Sequence, residues 1–318
     1  MGLDCLCIGG AAADGSYHLA GPAVLGTSNV ATAQAGFGGV ARNVAESLAR
    51  LGIRVSLLSA VGDDASGWEL LDHAGAAGID TGIVQVVPGE QTARYIALID
   101  PDGELVIGIN AMGVLSRIRP SDVAEAPLDD ARWVFAECNL DEETLLAVIE
   151  RRRAGGAFRL AIDAISTPKS KRLPRDLSGI DLLCGNADEA NAILERTEPA
   201  TRDGALALAR GLVARGAGAA MISIGEAGCV VATADGAWAI GAVPARVVDV
   251  TGAGDARIAG TLHALLDGEP IQEAARRGSL LAALAAEAPT TIDAALGPQR
   301  LAASSNRLAE ARLEGPLP

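Results

Sequence analysis

Short apolar runs alternate with amphipathic stripes along almost the whole chain. Leu3 to Ile8 reads as a first strand, and Val40, Val44, Leu48 and Leu51 fall on one face of a helix. The same alternation predicts strands over 54–58, 133–136, 159–162, 182–184, 219–224 and 228–232, with a further strand-like run over 242–248. Helices are predicted over 67–77, 140–153, 187–194 and 205–215, and three more, 256–266, 271–286 and 292–313, close the chain. Strands and helices that alternate in this way make a mainly parallel sheet covered by helices.

Two stretches break the alternation. The first, 17–35, is polar and β-prone. The second reads as a hairpin, with strands over 94–100 and 104–109 and Pro101-Asp102-Gly103 as the turn. Both would project from the edge where the sheet strands end, so a small β lid built from about 15–35 and 91–110 is the economical reading. No repeat, low-complexity run or flexible linker divides the chain, and one domain, 1–318, carrying that lid is expected.

Composition narrows the function. The chain has 318 residues, 49% of them apolar and only 3% aromatic, so its core is built mainly from Ala, Val, Leu and Ile. A formal net charge of −14 disfavours nucleic-acid backbones and anionic membranes as partners. A nucleotide is not excluded, because a local anion hole with Mg²⁺ outweighs a distant negative field. Cys5, Cys7, Cys138, Cys184 and Cys229 show no zinc-like spacing and are expected as buried, reduced thiols. No basic segment opens the chain and no apolar run approaches the roughly 20 residues of a spanning helix, so a soluble cytoplasmic protein is expected.

The most informative residues are Asp249-Val250-Thr251-Gly252-Ala253-Gly254-Asp255, at the entry to the helical pattern of Ile258, Leu262, Leu265 and Leu266. Gly252 and Gly254 let backbone amides approach an anion, and the helix N-terminus adds partial positive charge. A carboxylate repels phosphate, so Asp255 makes sense beside a substrate hydroxyl whose proton it accepts while a phosphoryl group arrives. The plainer reading is a tight turn with Asp255 as a first-turn charge.

Other fragments point to the same chemistry. Asn186 and Glu189 lie three apart at a helix start, where an amide and a carboxylate suit the water shell of Mg²⁺ on ATP phosphates. Their alternative is a capping box. Gly36-Phe37-Gly38-Gly39 leads into a helix whose first turn carries Asn43, an arrangement that lets the chain lie against a sugar. Asp14 is placed to grip the same sugar, with an Asp-Gly turn as the plainer reading. Ser223, Gly225 and Gly228 lie where two strands connect and suit the nucleotide, a plain hairpin turn being the alternative. A Walker A loop is absent, since no Gly-Lys pair occurs, and the dinucleotide reading is discounted because what precedes the glycines is lid-like and the next strand ends in Leu57-Leu58-Ser59, without an acid. The three histidines have no partners at ligand spacing and no Gly-x-Ser-x-Gly elbow occurs.

Taken together these fragments resemble the ribokinase-like (PfkB) carbohydrate kinase family over nearly the whole chain. Gly38-Gly39 with Asn43 is similar to its N-terminal signature, Asn186-x-x-Glu189 to its Mg²⁺-phosphate motif, and Asp249 to Asp255 to its C-terminal signature. The resemblance implies a three-layer α/β/α sandwich with a mainly parallel central sheet and a β lid. It implies Asp255 as base, Gly252, Ala253 and Gly254 as anion hole, and Asp14, Gly39 and Asn43 at the sugar. Within the family the likeness is closest to pseudouridine kinases, carried by residues 38–45, 88–95, 136–139 and Asp163 with Lys169. Those enzymes phosphorylate the 5′-hydroxyl of pseudouridine with MgATP. That likeness adds Gly38, Asn110 and Lys169 as substrate contacts and Thr251 beside the nucleotide. Asp249 and Thr251 are candidates to hold a monovalent cation such as K⁺, and pairing of two copies through the lid is implied. The chain departs from the pattern at Ala111, in place of an aspartate, at Ala164, in place of a proline, and at Arg257, in place of an apolar residue. The expected activity is therefore nucleoside 5′-phosphorylation. Its rivals are a related kinase for ribose, fructose or a purine nucleoside such as adenosine or inosine, and a nucleotide-binding protein without catalysis.

Overall fold

The computed structural model describes residues 2–317. Along the chain, β1 (Leu3–Ile8) precedes β2 (Ala12–Leu19), β3 (Ala31–Gly38), α1 (Val40–Arg50), β4 (Val55–Leu58), β5 (Ala60–Gly62), α2 (Ala65–Ala76), β6 (Ile79–Asp80), β7 (Gln85–Val87), β8 (Arg94–Ile99) and β9 (Leu105–Ala111). There follow α3 (Pro120–Glu125), β10 (Ala131–Glu137), α4 (Glu142–Arg153), β11 (Arg159–Asp163), α5 (Thr167–Ser170), β12 (Leu182–Asn186), α6 (Ala187–Leu194), α7 (Arg202–Ala214) and β13 (Ala219–Ser223). The chain ends with β14 (Cys229–Thr233), β15 (Gly236–Ile240), α8 (Ala253–Leu266), α9 (Ile271–Ala286), α10 (Pro298–Ala303) and β16 (Leu313–Glu314).

Alternation along β1 shows why the molecule has three layers. Leu6 and Ile8 pack on one side with Leu145 and Val148 of α4 and Leu208 and Leu212 of α7. Cys5 and Cys7 pack on the other with Val44 and Leu48 of α1, Ile258 and Leu262 of α8, and Leu280 of α9. A strand buried on both faces belongs to a parallel sheet sandwiched between helices. All five cysteines are buried and free, as expected.

The main sheet has ten strands in the order β16-β15-β14-β13-β12-β11-β10-β1-β4-β6, parallel from β13 to β6 and antiparallel beyond β13. The chain winds outward from β1 in one direction through β4 and β6, and in the other through β10 to β13. The strand order therefore reverses between β1 and β10, and a crevice opens there at the carboxyl ends of the strands. A second sheet, β3-β2-β8-β9, is built from the two stretches that interrupt the alternation. Its hairpin turn is at 100–104, where the Asp100 amide donates to the Glu104 carbonyl at 2.9 Å.

Two sequence expectations are corrected, and the alternative reading of Asp14 as a turn residue falls. The run 242–248 is not a strand: Pro244 lacks a donor, β15 already pairs with β14 and β16, and Val247 and Val248 stand exposed. The helix expected over 292–313 is only α10, followed by a 3₁₀ turn (Ser305–Glu310) and β16. Ser305 marks the interruption, its hydroxyl donating to the Ala302 carbonyl at 2.8 Å. Asp14 and Gly15 lie within β2 and not in a turn, and the second sheet begins at Ala12 and ends its first hairpin at Gly38. Among the described residues, no helix is long and apolar enough to cross a membrane.

Candidate active site

The crevice beside β1 is closed at its base by Glu137, the last residue of β10. Its two carboxylate oxygens accept from the Gly10 and Asn139 amides, each at 2.5 Å. A Cβ on Gly9 would come 2.3 Å from that carboxylate, so the loop after β1 must be glycine to lie against it. Burial pushes the Glu137 carboxyl up from its ordinary value, and the two amides pull the other way. Lys169 of α5 donates to Asn139 Oδ1 and so joins this cluster, its own ammonium held down by burial.

Gly39 carries α1 into the same crevice. Its φ is 92°, and a Cβ there would come 2.4 Å from the Gly10 carbonyl oxygen. The Arg42 amide then donates to that carbonyl at 3.1 Å. With the helix start pinned, the Asn43 side chain reaches α8 and its Nδ2 donates to Asp255 Oδ2 at 2.7 Å. Asp14 lies directly over Gly38, where a Cβ would fall 1.8 Å from Asp14 Oδ2. Across the second sheet Gly36, Asp14, Tyr95 and Asn110 stand in one register row, so their side chains share a face.

Gly252 caps α8 in the left-handed region, φ 80°, and a Cβ there would come 2.4 Å from the Thr291 carbonyl oxygen. The Thr251 amide is engaged by Asp249 Oδ1 at 2.8 Å and the Ala253 amide by the Val250 carbonyl at 3.1 Å. The amides of Gly252, Gly254 and Asp255 have no partner among the described residues, and a Cβ on Gly254 would meet open space. These are the donors left for an anion. Asp255 sits in the first turn, beside them. A carboxylate at a helix N-terminus is ordinarily acidic, yet here burial dominates and pushes Asp255 up to about 7. The Asn43 hydrogen bond and the Arg42 charge oppose that shift, while the Glu137 and Asp14 charges add to it. Burial likewise raises Asp14 to about 6 against the pull of Arg42. A half-buried carboxylate that binds a proton near neutrality beside free amides can accept a hydroxyl proton while charge gathers on a neighbouring anion.

At the carboxyl end of β12, Asn186 and Glu189 form the capping box. Asn186 Oδ1 accepts from the Glu189 amide at 2.9 Å, and Glu189 accepts from the Asn186 amide at 2.8 Å and from its Nδ2 at 2.9 Å. Ser223 is in register with Asn186 and donates to the Gly185 carbonyl at 3.3 Å. Gly228 packs so tightly against β15 that a Cβ would come 2.0 Å from the Ile240 carbonyl oxygen, whereas Gly225 faces open space. Since both Glu189 oxygens are engaged, this pair fits the water shell of Mg²⁺ better than direct ligation. The surroundings also suit a cation: burial, then the charges of Glu189 and Asp255, push the Asp163 carboxyl well above its ordinary range.

Sequence reasoning assigned no role to Glu137, Arg42 or Tyr95. Glu137 carried a signal, being a lone acid that ends the apolar run 133–136. Tyr95 carried none, because its row partners come from distant segments, and Arg42 carried none, because Asn43 beside it meets Asp255 only in the folded chain.

Comparison with known proteins adds an independent line. The pattern of the pfkB family carbohydrate kinases matches residues 4–296. The chain is 32% identical over 243 residues to the pseudouridine kinase of Escherichia coli (strain K12), covering 75% of this chain and 76% of that one. It is 29% identical over 254 residues to the ribokinase of Haemophilus influenzae, covering 79% and 81% respectively. Among solved structures, a carbohydrate kinase from Agrobacterium tumefaciens superposes with a TM-score of 0.82 at 27% identity, over 98% of this chain and 99% of that one.

Because the Asn43 amide donates to the ionised form of Asp255, Asn43→Ala is expected to raise the Asp255 pKa by about one unit. Carboxyl-¹³C NMR titration, with the signal assigned through Asp255→Asn, measures it; an unmoved or lowered value contradicts the geometry.

Proposed function

This chain belongs to the pfkB family of carbohydrate kinases, a phosphotransferase with a hydroxyl acceptor; within that family, we propose that it moves the γ-phosphoryl group of ATP to the 5′-hydroxyl of a ribosyl nucleoside, pseudouridine foremost. The observation that carries this reading is Asp255, a proton acceptor near neutrality set beside unpartnered helix amides. The relative at 32% identity, named a pseudouridine kinase, supports the choice of nucleoside.

In this reading Asp14, Asn43 and Asn110 hold the sugar hydroxyls, with Gly38 and Gly39 giving the sugar room to approach the backbone. Asp255 accepts the proton of the attacking hydroxyl as the new O–P bond forms and the bond to the β-phosphate oxygen breaks. The Gly252 and Gly254 amides, helped by the positive end of α8, stabilise charge on the phosphoryl oxygens in flight. Lys169 and Glu137 fix the far wall, and Ser223 with Gly225 lies along the nucleotide. Mg²⁺, held through water by Asn186 and Glu189, would supply neutralisation of the triphosphate charge. The second sheet acts as the lid, excluding the water that competes as acceptor. Its opposite face carries Tyr17, Ile107 and Ile109, all exposed, and suits pairing with a second copy.

Free ribose is the second reading, favoured by Ala111, which leaves the end of β9 without a carboxylate next to Asn110. A nucleotide-binding protein without catalysis fits poorly with a carboxylate tuned to neutrality.

A panel of pseudouridine, adenosine, inosine, ribose and fructose with MgATP, read by ADP release, tests the reading. Pseudouridine is expected to give the highest kcat/KM, and ribose at the head would favour the second reading. Asp255→Asn is expected to lower kcat by about 10²–10⁴ with the KM for ATP largely kept; near-wild-type turnover removes the base. Gly38→Ala, which drives Asp14 from its seat, is expected to raise the KM of the acceptor by about tenfold, whereas Gly36→Ala meets nothing within 4 Å and should be silent. Equal effects of the two would contradict the placement of Asp14.

A further inference from the structure

Arg42 is 3% exposed, so its guanidinium is enclosed by protein rather than open to solvent. All four of its terminal N–H bonds have an acceptor. Nη1 donates to the Phe37 carbonyl at 2.7 Å and to Asn43 Oδ1 at 2.9 Å. Nη2 donates to the Glu46 carboxylate and lies 3.2 Å from His73 Nδ1. Glu46, itself buried, is held from its other side by Arg50 at 2.7 Å, so the anchor for Arg42 is fixed before any ligand arrives. Among the described residues, only Nε has no partner.

We propose that Arg42 is a positioning residue: it locks the Asn43 amide so that Nδ2, the donor, faces the Asp255 carboxylate. An Asn amide has two orientations related by a half-turn, and only one presents a donor. With Oδ1 held by Nη1, the other orientation is closed. Released from Arg42, the amide could turn its oxygen to Asp255, which would then be stable only when protonated and useless as a base. The groups facing Asp255 are Asn43 and Arg42 from α1, Asp14 from β2, Glu137 from β10 and Asp163 from β11. Every other charged group in that set is an acid, so besides the α8 amides only the Asn43 donor and the Arg42 charge favour the ionised carboxylate. Lysine cannot replace Arg42, because one ammonium lacks the planar fork that reaches Phe37, Asn43 and Glu46 together.

The inference rests on Asp255 being the base, and the experiment separates the two. Asp255 is titrated by carboxyl-¹³C NMR in the wild type, in Arg42→Lys, and in Arg42→Met/Glu46→Gln, which removes both buried charges and keeps the test open if the lysine variant folds poorly. The Asp255 pKa is expected to rise by about one unit in each, even though Arg42→Lys retains the positive charge. In an Asn43→Ala background Arg42→Lys should add little further, since the amide through which it acts is gone. With MgATP and pseudouridine or ribose, whichever turns over faster, kcat should fall about tenfold or more while the KM for ATP stays within about twofold. An Asp255 titration unmoved in both variants, or a shift in the Asn43→Ala background as large as in the wild type, overturns the role of Arg42. If Asp255→Asn is inactive in the same assay, the base assignment survives that failure; if Asp255→Asn stays active, the base assignment is what falls.

Discussion

A hydrogen bond of 2.7 Å between Asn43 and Asp255 joins residues 212 apart in sequence, and the site depends on it. The two residues ride on the first helix and the last helical hairpin of the fold, and meet only because Gly39 lets α1 touch the Gly10 carbonyl. A base for a hydroxyl must bind a proton readily and yet be empty of one at working pH. Burial supplies the first property by lifting Asp255 to about 7, and Asn43 with the charge of Arg42 limits the rise so that the second survives. Remove burial and the carboxylate is too weak a base; remove the donor and it stays protonated.

The same crevice concentrates negative charge. Asp14, Glu137, Asp163, Glu189 and Asp255 are all raised by burial, in a chain whose net charge is −14. In the proposed reading the α8 amides and a cation on the phosphates would offset this charge for a nucleotide triphosphate. The labour in that reading divides accordingly: free main-chain donors at the α8 end suit phosphate, while the carboxylates suit hydroxyls and protons. A sheet placed over the crevice completes the logic, since closing out water strengthens every one of these electrostatic terms.

Much of this was legible along the chain. The alternation of β1, α1, β4 and α2, the bounds of α6 and α9, and the two interruptions that pair as the second sheet follow from local periodicity. The glycines at 38, 39, 252 and 254 carried their own signal, because each marks a backbone approach or an open space. What stayed hidden depends on partners far away in sequence. The strand character of Asp14 comes from pairing with β3 and β8, Tyr95 enters its row only through β2, and Arg42 acquires meaning only because its neighbour Asn43 meets Asp255, 212 residues away. The run at 242–248 misled for the opposite reason: its valines are apolar, but the strand positions beside it are already filled.

The central claim is that one carboxylate, held near neutrality by burial and by Asn43, takes the acceptor's proton. The pH dependence of kcat/KM tests it most directly, because only the deprotonated base is active and activity must be lost as pH falls through its pKa. An acid limb centred near pH 7, matching the value to which Asp255 is raised, is the expected result. A profile flat down to pH 5 would contradict the account.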